Sequence, residues 1–333
     1  MIRVGVVGTG HFARQHIAVL RQLPGVEVGA VVGSDPRRTS EVAREAGDAS
    51  PYSSISSLLS EARIDAVDVV NRTGHHATAT IEALEAALPV LVDKPAALSV
   101  EDFDRMLAAA DKDSRRLMVG QTVRFHPVMR MIQKSIADGD IGEPKVVHLS
   151  WHVGYTWAGG WRSWQMDPAQ SGGHLVHNGV HIIDAASWLL GEAPCQLTAI
   201  GTRTWAGGMS SPDSFQIIGK TPSGKLCALQ WSYGLKEFKR MERRYLVLGG
   251  DGTIVHDTAN ENAPTQLDGF GELPSVEGAL TAELTHWIDL VRGDAEPVVR
   301  LSEVRSVLAA ALAAQRSFEQ GTVATTNEVL GNE

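Results

Sequence analysis

The sequence predicts an α/β chain in two parts. A doubly wound parallel sheet comes first, followed by an α+β domain with an open-faced, mostly antiparallel sheet. Three observations predict it. Short valine-rich apolar runs alternate with helical patterns through the first 122 residues. A glycine turn, Gly8-Thr9-Gly10-His11-Phe12-Ala13, joins the first run to the first helical pattern. After Thr122 the texture changes to apolar residues at every second position. Strands buried on both faces read as continuous apolar runs, whereas alternation marks one buried face.

The strand candidates of the first part are Val4–Val7, Val26–Val32, Ala66–Val70, Val90–Val92 and Leu117–Val119. Between them, Phe12, His16, Ile17, Leu20 and Leu23 share one helical face, and Pro24-Gly25 ends that helix. His76–Leu88 is alanine-rich and periodic. Ser99 is placed to cap a helix running to about Lys112, with Glu101 and Asp102 at its positive end. Repeated strand–helix units give a right-handed doubly wound (Rossmann) domain over residues 1–122. In residues 123–333, Val147, Leu149, Trp151 and Val153 alternate with polar residues, as do Cys227, Leu229 and Trp231. Helices are expected at about His177–Leu190, Leu280–Arg292 and Ser302–Glu319. The boundary near 122 reads as a hinge between packed domains.

At 333 residues, the chain is long enough for two cores. Its net charge of −9, with no basic block, argues against a nucleic-acid partner. No apolar run approaches membrane-spanning length, and the N-terminus reads as a strand rather than a signal peptide. Cys195 and Cys227 lack metal-type spacing, so reduced thiols in a cytoplasmic protein are expected, and no metal site.

The glycine turn has a physical logic. Gly8 allows the tight turn, Gly10 lets the backbone approach a pyrophosphate at the helix N-terminus, and small Ala13 lets helix and strand pack. His11 and Phe12 share that turn. Asn71, Thr73 and His76 follow the strand candidate Ala66–Val70, Asp93 and Lys94 the next, and Gln121 the last, all at carboxyl ends where a cofactor binds. At the tip of the second strand, an NAD enzyme usually has an acid for the ribose hydroxyls. Here Gly33 stands there, with Ser34 and Arg38 suited to a 2′-phosphate, so the reading leans to NADP within NAD(P). Asp35, two positions late, is the counter-argument.

Lys94 follows a buried strand and precedes Pro95. A lysine there suits stabilisation of a developing alkoxide. His181 suits proton transfer, since imidazole titrates near working pH. His177 lies four residues earlier and is expected on the same helical face. Trp157 in a glycine-flanked loop suits stacking on a sugar ring, while Arg124, Arg162 and Asn178 suit binding of hydroxyls or a carboxylate.

Several stretches together resemble the Gfo/Idh/MocA family (glucose-fructose oxidoreductase, inositol dehydrogenase and rhizopine-catabolism proteins). They are Asp93-Lys94-Pro95, Gln121-Thr122-Val123-Arg124-Phe125-His126-Pro127, Ile141-Gly142-Glu143-Pro144, and the run from Gly172-Gly173 through His177, Gly179 and His181 to Asp184. The resemblance implies hydride transfer at a hydroxyl-bearing carbon of a sugar, polyol or cyclic diol. It implies Lys94 touching substrate and nicotinamide, His181 as acid/base, and a homodimer or homotetramer. Three departures stand out. Asp93 replaces a usual Glu, Asn71-Arg72-Thr73 replaces Thr-Pro-Asn, and His177 replaces a common aspartate. Two alternatives stay open: a glycosidase or lyase acting by transient oxidation and elimination, and a non-catalytic nucleotide-sensing binder.

Overall fold

The computed structural model describes residues 1–111, 113, 115–154, 159–237, 240–258 and 277–331. Its contacts divide the chain into two compact units. The first holds Met1–Phe125 together with the helix beginning at Glu277 and the segment after it up to Ser302. The second runs from His126 and takes in the residues from Glu303 onward. This differs from a simple break at 122. The helix expected near Leu280–Arg292 in the second domain packs on the first helix and on the turn Thr122–Phe125, all in the first unit. Its buried face (Ala279, Leu284, Trp287, Ile288) finds its partners there. Periodicity marks such a face but does not say which core it joins.

The first unit has six strands: β1 (Ile2–Val7), β2 (Val26–Val32), β3 (Ser50–Tyr52), β4 (Ala66–Val69), β5 (Val90–Asp93) and β6 (Leu117–Gly120). Helices α1 (His11–Leu20), α2 (Pro36–Glu45), α3 (Ile55–Glu61), α4 (His76–Glu85) and α5 (Val100–Ala109) alternate with them. The order is β3-β2-β1-β4-β5-β6, with every pair parallel. Edge strand β3 has no counterpart among the sequence candidates, because Ser50-Pro51-Tyr52 is short and largely exposed. The chain reverses its winding between β1 and β4, and that switch point opens the ligand crevice at the strands' carboxyl ends. Ser99 caps α5 as expected, its Oγ accepting from Asp102 N at 3.1 Å.

The second unit contains α6 (Pro127–Asp138), β7 (Pro144–Gly154), α7 (Pro168–Ser171), α8 (His174–His177) and α9 (Gly179–Leu190). There follow β8 (Gln196–Thr202), β9 (Ser214–Lys220), β10 (Leu226–Leu235), β11 (Met241–Gly249) and β12 (Thr253–Asp257). After α10 (Glu277–Arg292), the helix of the first unit, come α11 (Leu301–Gln320), β13 (Ala324–Thr325) and α12 (Thr326–Leu330). The sheet order is β12-β11-β7-β10-β9-β8-β13, antiparallel except for the β7–β10 pair. One face buries Trp151, Trp231, Tyr245 and Val247, and α9 packs on β7 and β10.

The helix expected from about His177 to Leu190 is α9, which begins at Gly179; α8 precedes it, and Asn178 between them keeps right-handed helical dihedrals (φ −110°, ψ −29°). A Cβ on Gly179 would lie 3.6 Å from the Phe215 ring. One turn residue, Asn178, separates His177 at the end of α8 from His181 in the first turn of α9. Among the described residues, no helix is long and apolar enough to cross a membrane. Cys195 and Cys227 are both free, and burial pushes the Cys227 thiol up to about 12, which makes it unreactive.

Candidate active site

In the first unit, the crevice is shaped by glycine where nothing else fits. Gly8 has φ +147°, and a Cβ there would sit 2.6 Å from the Val70 carbonyl oxygen. Gly10 forms the N-cap of α1 with no side-chain cap, and a Cβ there would meet nothing within 4 Å. The turn is therefore tight on its inner side and open on its outer side, where helix N–H groups favour an anion. Ala13 is fully buried, His11 is exposed, and the edge of the Phe12 ring meets His16 at 4.5 Å.

Around the same strand ends, buried polar atoms stand without partners: Asn71 Oδ1 and Thr73 Oγ1 after β4, and both amide atoms of Gln121 after β6. Buried polar groups in native folds are nearly always paired. A nicotinamide dinucleotide laid over these ends offers the missing partners, so the residues present fit that cofactor. His76 is differently employed. Its ring is buried, with Nδ1 2.9 Å from Pro95 O and Nε2 3.2 Å from Asn71 O. Burial lowers its pKa, and the neutral ring has one N–H, so it donates to one of these two carbonyls and only lies against the other.

Lys94 is 7 % exposed. Burial lowers its pKa, against the opposing charges of Asp93 and Glu283. Glu283 is the residue that sequence reading missed. It comes from α10, is 1 % exposed, and accepts from Thr122 Oγ1 at 2.7 Å. Its other oxygen lies 3.2 Å from where a Cβ on Gly120 would be, beside the Asp93 backbone. Burial, with Asp93 and Asp68, pushes its carboxyl up to about 8. A second buried pair stands close by, His16 Nδ1 with Asp68 Oδ2 at 2.9 Å. Burial resists charging His16, but Asp68, Asp93 and Glu283 outweigh it and raise its pKa. An acid at position 68, inside a strand buried on both faces, was the available signal.

The tip of β2 holds no acid for structural reasons. A Cβ on Gly33 would fall 2.5 Å from Thr9 Cγ2 and 2.6 Å from Thr39 Oγ1. Asp35 is the N-cap of α2, accepting from Arg37 N at 3.0 Å and Arg38 N at 3.1 Å. Ser34, Arg37 and Arg38 are exposed.

In the second unit, His181 lies in the first turn of α9 and stacks on Trp231, with centroids 6.1 Å apart and planes 13° apart. His177, at the end of α8, is buried and meets Trp164 edge-on at 5.4 Å. Asn178 Oδ1 accepts a long bond from Tyr233 Oη, 3.5 Å. His174 anchors α8 to the sheet. Its backbone N–H donates to Ser211 Oγ, and its Nδ1 donates to Pro212 O, each at 2.9 Å. Arg162 lies with its guanidinium 4.1 Å from the Trp161 ring centre. Arg124 is buried and belongs to the first unit, and Trp157 lies outside the described residues.

A doubly wound sheet with this glycine-lined crevice, followed by an open sheet, defines a dinucleotide-binding oxidoreductase. The chain belongs to the Gfo/Idh/MocA family. It matches that family's NAD-binding Rossmann domain over residues 2–121 and its C-terminal alpha/beta domain over residues 133–326. It is 30% identical to the 2,7-anhydro-N-acetylneuraminate hydratase of Escherichia coli (strain K12), over 81% of this chain and 71% of that protein. It is 24% identical to the myo-inositol 2-dehydrogenase of Thermotoga maritima, over 99% of this chain and all of that one. The crystal structure of a probable dehydrogenase from Thermotoga maritima superposes with a TM-score of 0.84 at 22% identity, covering 98% of this chain and 100% of the other.

Proposed function

We propose that this protein is an NADP-preferring oxidoreductase acting at a hydroxyl-bearing carbon of a sugar, polyol or cyclic diol. The observation that carries the reading is Lys94, a buried lysine at the carboxyl end of β5 beside unpartnered polar atoms that suit a nicotinamide dinucleotide. Gly8, Gly10 and Ala13 hold the pyrophosphate, and Asn71, Thr73, Asp93 and Gln121 line the path to the nicotinamide. The bound nicotinamide supplies the hydride acceptor or donor. In the oxidation direction Lys94 Nζ holds the substrate oxygen and stabilises its growing negative charge. The His181 imidazole takes the hydroxyl proton. In reduction the same groups return it.

The NADP preference rests on the tip of β2. Gly33 leaves no room for a ribose-binding acid, Asp35 is occupied as a helix cap, and Ser34, Arg37 and Arg38 are exposed around the place of a 2′-phosphate. A panel of sugars and polyols read at 340 nm with NAD and NADP separately tests both parts. A kcat/KM ratio favouring NAD would sink the preference, and no turnover across the panel would sink the oxidoreductase reading. The 30% identity to a hydratase favours one second reading, transient oxidation followed by elimination. A changed product with no net change at 340 nm identifies it. We also propose a homodimer or homotetramer through the outer face of the second sheet, where Ile200 and Ile218 are 65 % and 64 % exposed. A monomer mass by light scattering at micromolar concentration would refute that.

A further inference from the structure

The reaction above makes no use of Arg243, a buried cation on β11. It stands in register with Trp151 of β7, which stands in register with Trp231 of β10, the residue on which His181 stacks. Arg243 is 8 % exposed, and its guanidinium carbon lies 5.3 Å from the Trp151 ring centre. Among the described residues, no carboxylate pairs with it. The carboxylates beside this strand pair elsewhere, Asp257 with exposed Arg244 at 3.1 Å and Glu242 with Arg240 at 2.6 Å.

The surroundings are rich in donors. Arg243 Nε, Trp151 Nε1, Tyr245 Oη and His126 Nδ1 are all buried without a hydrogen-bond partner. The guanidinium and the indole both face the Tyr245 hydroxyl, yet no bond of normal geometry forms among them. Burial, then the charges of Arg243 and His256, push His126 down to about 4, so it stays neutral in a positive field. A buried guanidinium with no counter-ion costs several kcal/mol, and removing its need for one is normally stabilising. A buried cation with no carboxylate partner, ringed by buried polar groups able to donate, has the form of an anion subsite.

We propose that Arg243, Trp151, Tyr245 and His126 form a subsite for a carboxylate of the substrate, which makes that substrate a sugar acid or polyol acid. The proposal rests on the oxidoreductase reading for its second half. Charge selects the carboxylate over a phosphate ester. One guanidinium among neutral donors balances a single negative charge, whereas a phosphate monoester carries close to two. The planar guanidinium fork also matches a carboxylate. Position ties the subsite to the reacting end. Trp151 and Trp231 touch at 5.0 Å between ring centres, forming an aromatic floor from Arg243 to His181. Arg243 and Trp231 stand two strand spacings apart, about 10 Å. That span suits a substrate with a reactive hydroxyl near one end and a carboxylate near the other.

The test uses the whole protein as wild type, Arg243→Met and Arg243→Lys. The probes are D-glucuronate, D-galacturonate and D-gluconate, their neutral parent sugars, and D-glucose 6-phosphate. Wild-type kcat/KM should favour the acids over the neutral parents by about tenfold or more, the scale of one charge-assisted hydrogen bond. Arg243→Met should erase that preference and Arg243→Lys should keep part of it. Without ligand, Arg243→Met should unfold at the same or a higher temperature, and the acids should raise the unfolding temperature of the wild type alone. Three outcomes would overturn the subsite. One is an acid-to-neutral ratio unchanged by Arg243→Met. Another is a large loss of unliganded stability with no change in acid binding, which would make Arg243 structural. The third is a preference for the phosphate ester that Arg243→Met abolishes. Acid binding through Arg243 with no turnover of any probe would support the subsite and defeat the oxidoreductase reading, so the two failures are distinct.

Discussion

Two buried clusters, one in each unit, hold charge in opposite ways. In the first, acids and bases meet: His16 with Asp68 at 2.9 Å, and Lys94 beneath the opposing charges of Asp93 and Glu283. In the second, Arg243, His126 and His256 gather without a described carboxylate to balance Arg243, and the two histidines are held below their ordinary values. A mixed cluster is complete in itself. Its carboxyl groups oppose the burial that lowers the Lys94 pKa, and uncharged polar atoms are left for a cofactor to satisfy. A single buried cation among neutral rings is incomplete and gains from a ligand of the other sign. The difference teaches where specificity is carried. The first unit is built to serve one unchanging cofactor, while the second keeps an unbalanced charge for whatever the enzyme acts on.

The sharpest test of the division is to remove one reacting group from each unit. Lys94→Ala and His181→Ala should each lower kcat by roughly 10²-fold or more. If both act on one transition state, the double variant should be little worse than the poorer single variant. Steady-state kinetics of the four proteins on one substrate checks this. Fully multiplicative losses would mean that the two groups serve different steps. Near-normal kcat in His181→Ala would remove it as the base and make His177 the next candidate.

Much of the first unit was legible because its physics is local. A valine run that ends at glycine, or at Asp93-Lys94-Pro95, announces both a buried strand and the residues at its carboxyl end. What escaped was non-local. Glu283 reaches Thr122 from 161 residues away, on a helix whose apolar stripe fits either core. Asp68 sat in plain view as an acid within an apolar run, but its partner His16 looked like one more residue on a helix face. In the second unit, alternation disclosed which way Trp151 and Trp231 face. The same alternation places Arg243 on the buried face, two positions before Tyr245, although an arginine there reads as solvent-facing by its chemistry. The helix expected from about His177 begins two residues later, at Gly179, and the short α8 before it, only four residues long, left no periodicity to read.

The contrast also predicts two opposite pH windows for stability. Glu283 ionises at about 8 in the folded protein, far above an unfolded glutamate. Between those values the folded state holds the extra proton, so its contribution is lost as pH rises from about 4.5 to about 8. Glu283→Gln keeps an acceptor for Thr122 and carries no charge. It should unfold at a higher temperature than wild type above pH 8, with the advantage shrinking toward pH 5. His126 runs the other way. Its folded value of about 4 lies below the unfolded 6.5, so the unfolded chain takes the proton first and stability falls as pH drops from about 6.5 to about 4. His126→Gln should flatten that acid limb, and in an Arg243→Met background the limb should already be shallower. Melting curves from pH 4 to pH 9 check both. Equal pH profiles for Glu283→Gln and wild type would break the comparison on the first side. A His126→Gln limb as steep as wild type would break it on the second.

The smallest expected effect tests whether charge near His181 can be rebalanced. The family resemblance implies an aspartate at position 177, and here a buried histidine sits there, edge-on to Trp164 at 5.4 Å. His177→Asp would add one negative charge four residues before His181. A carboxylate close to an imidazole favours its protonated form. If the side chain at 177 lies within reach of His181 across Asn178, the base stays protonated to higher pH. The acidic limb of kcat/KM for oxidation should then move upward, by about one pH unit for a near neighbour, with kcat at the new optimum within a few-fold of wild type. His177→Asn, which adds no charge, should leave the limb in place. A limb that moves equally in both variants would mean that shape rather than charge is felt at 177. A folded His177→Asp protein with no turnover at any pH would make His177 itself the group that moves the proton.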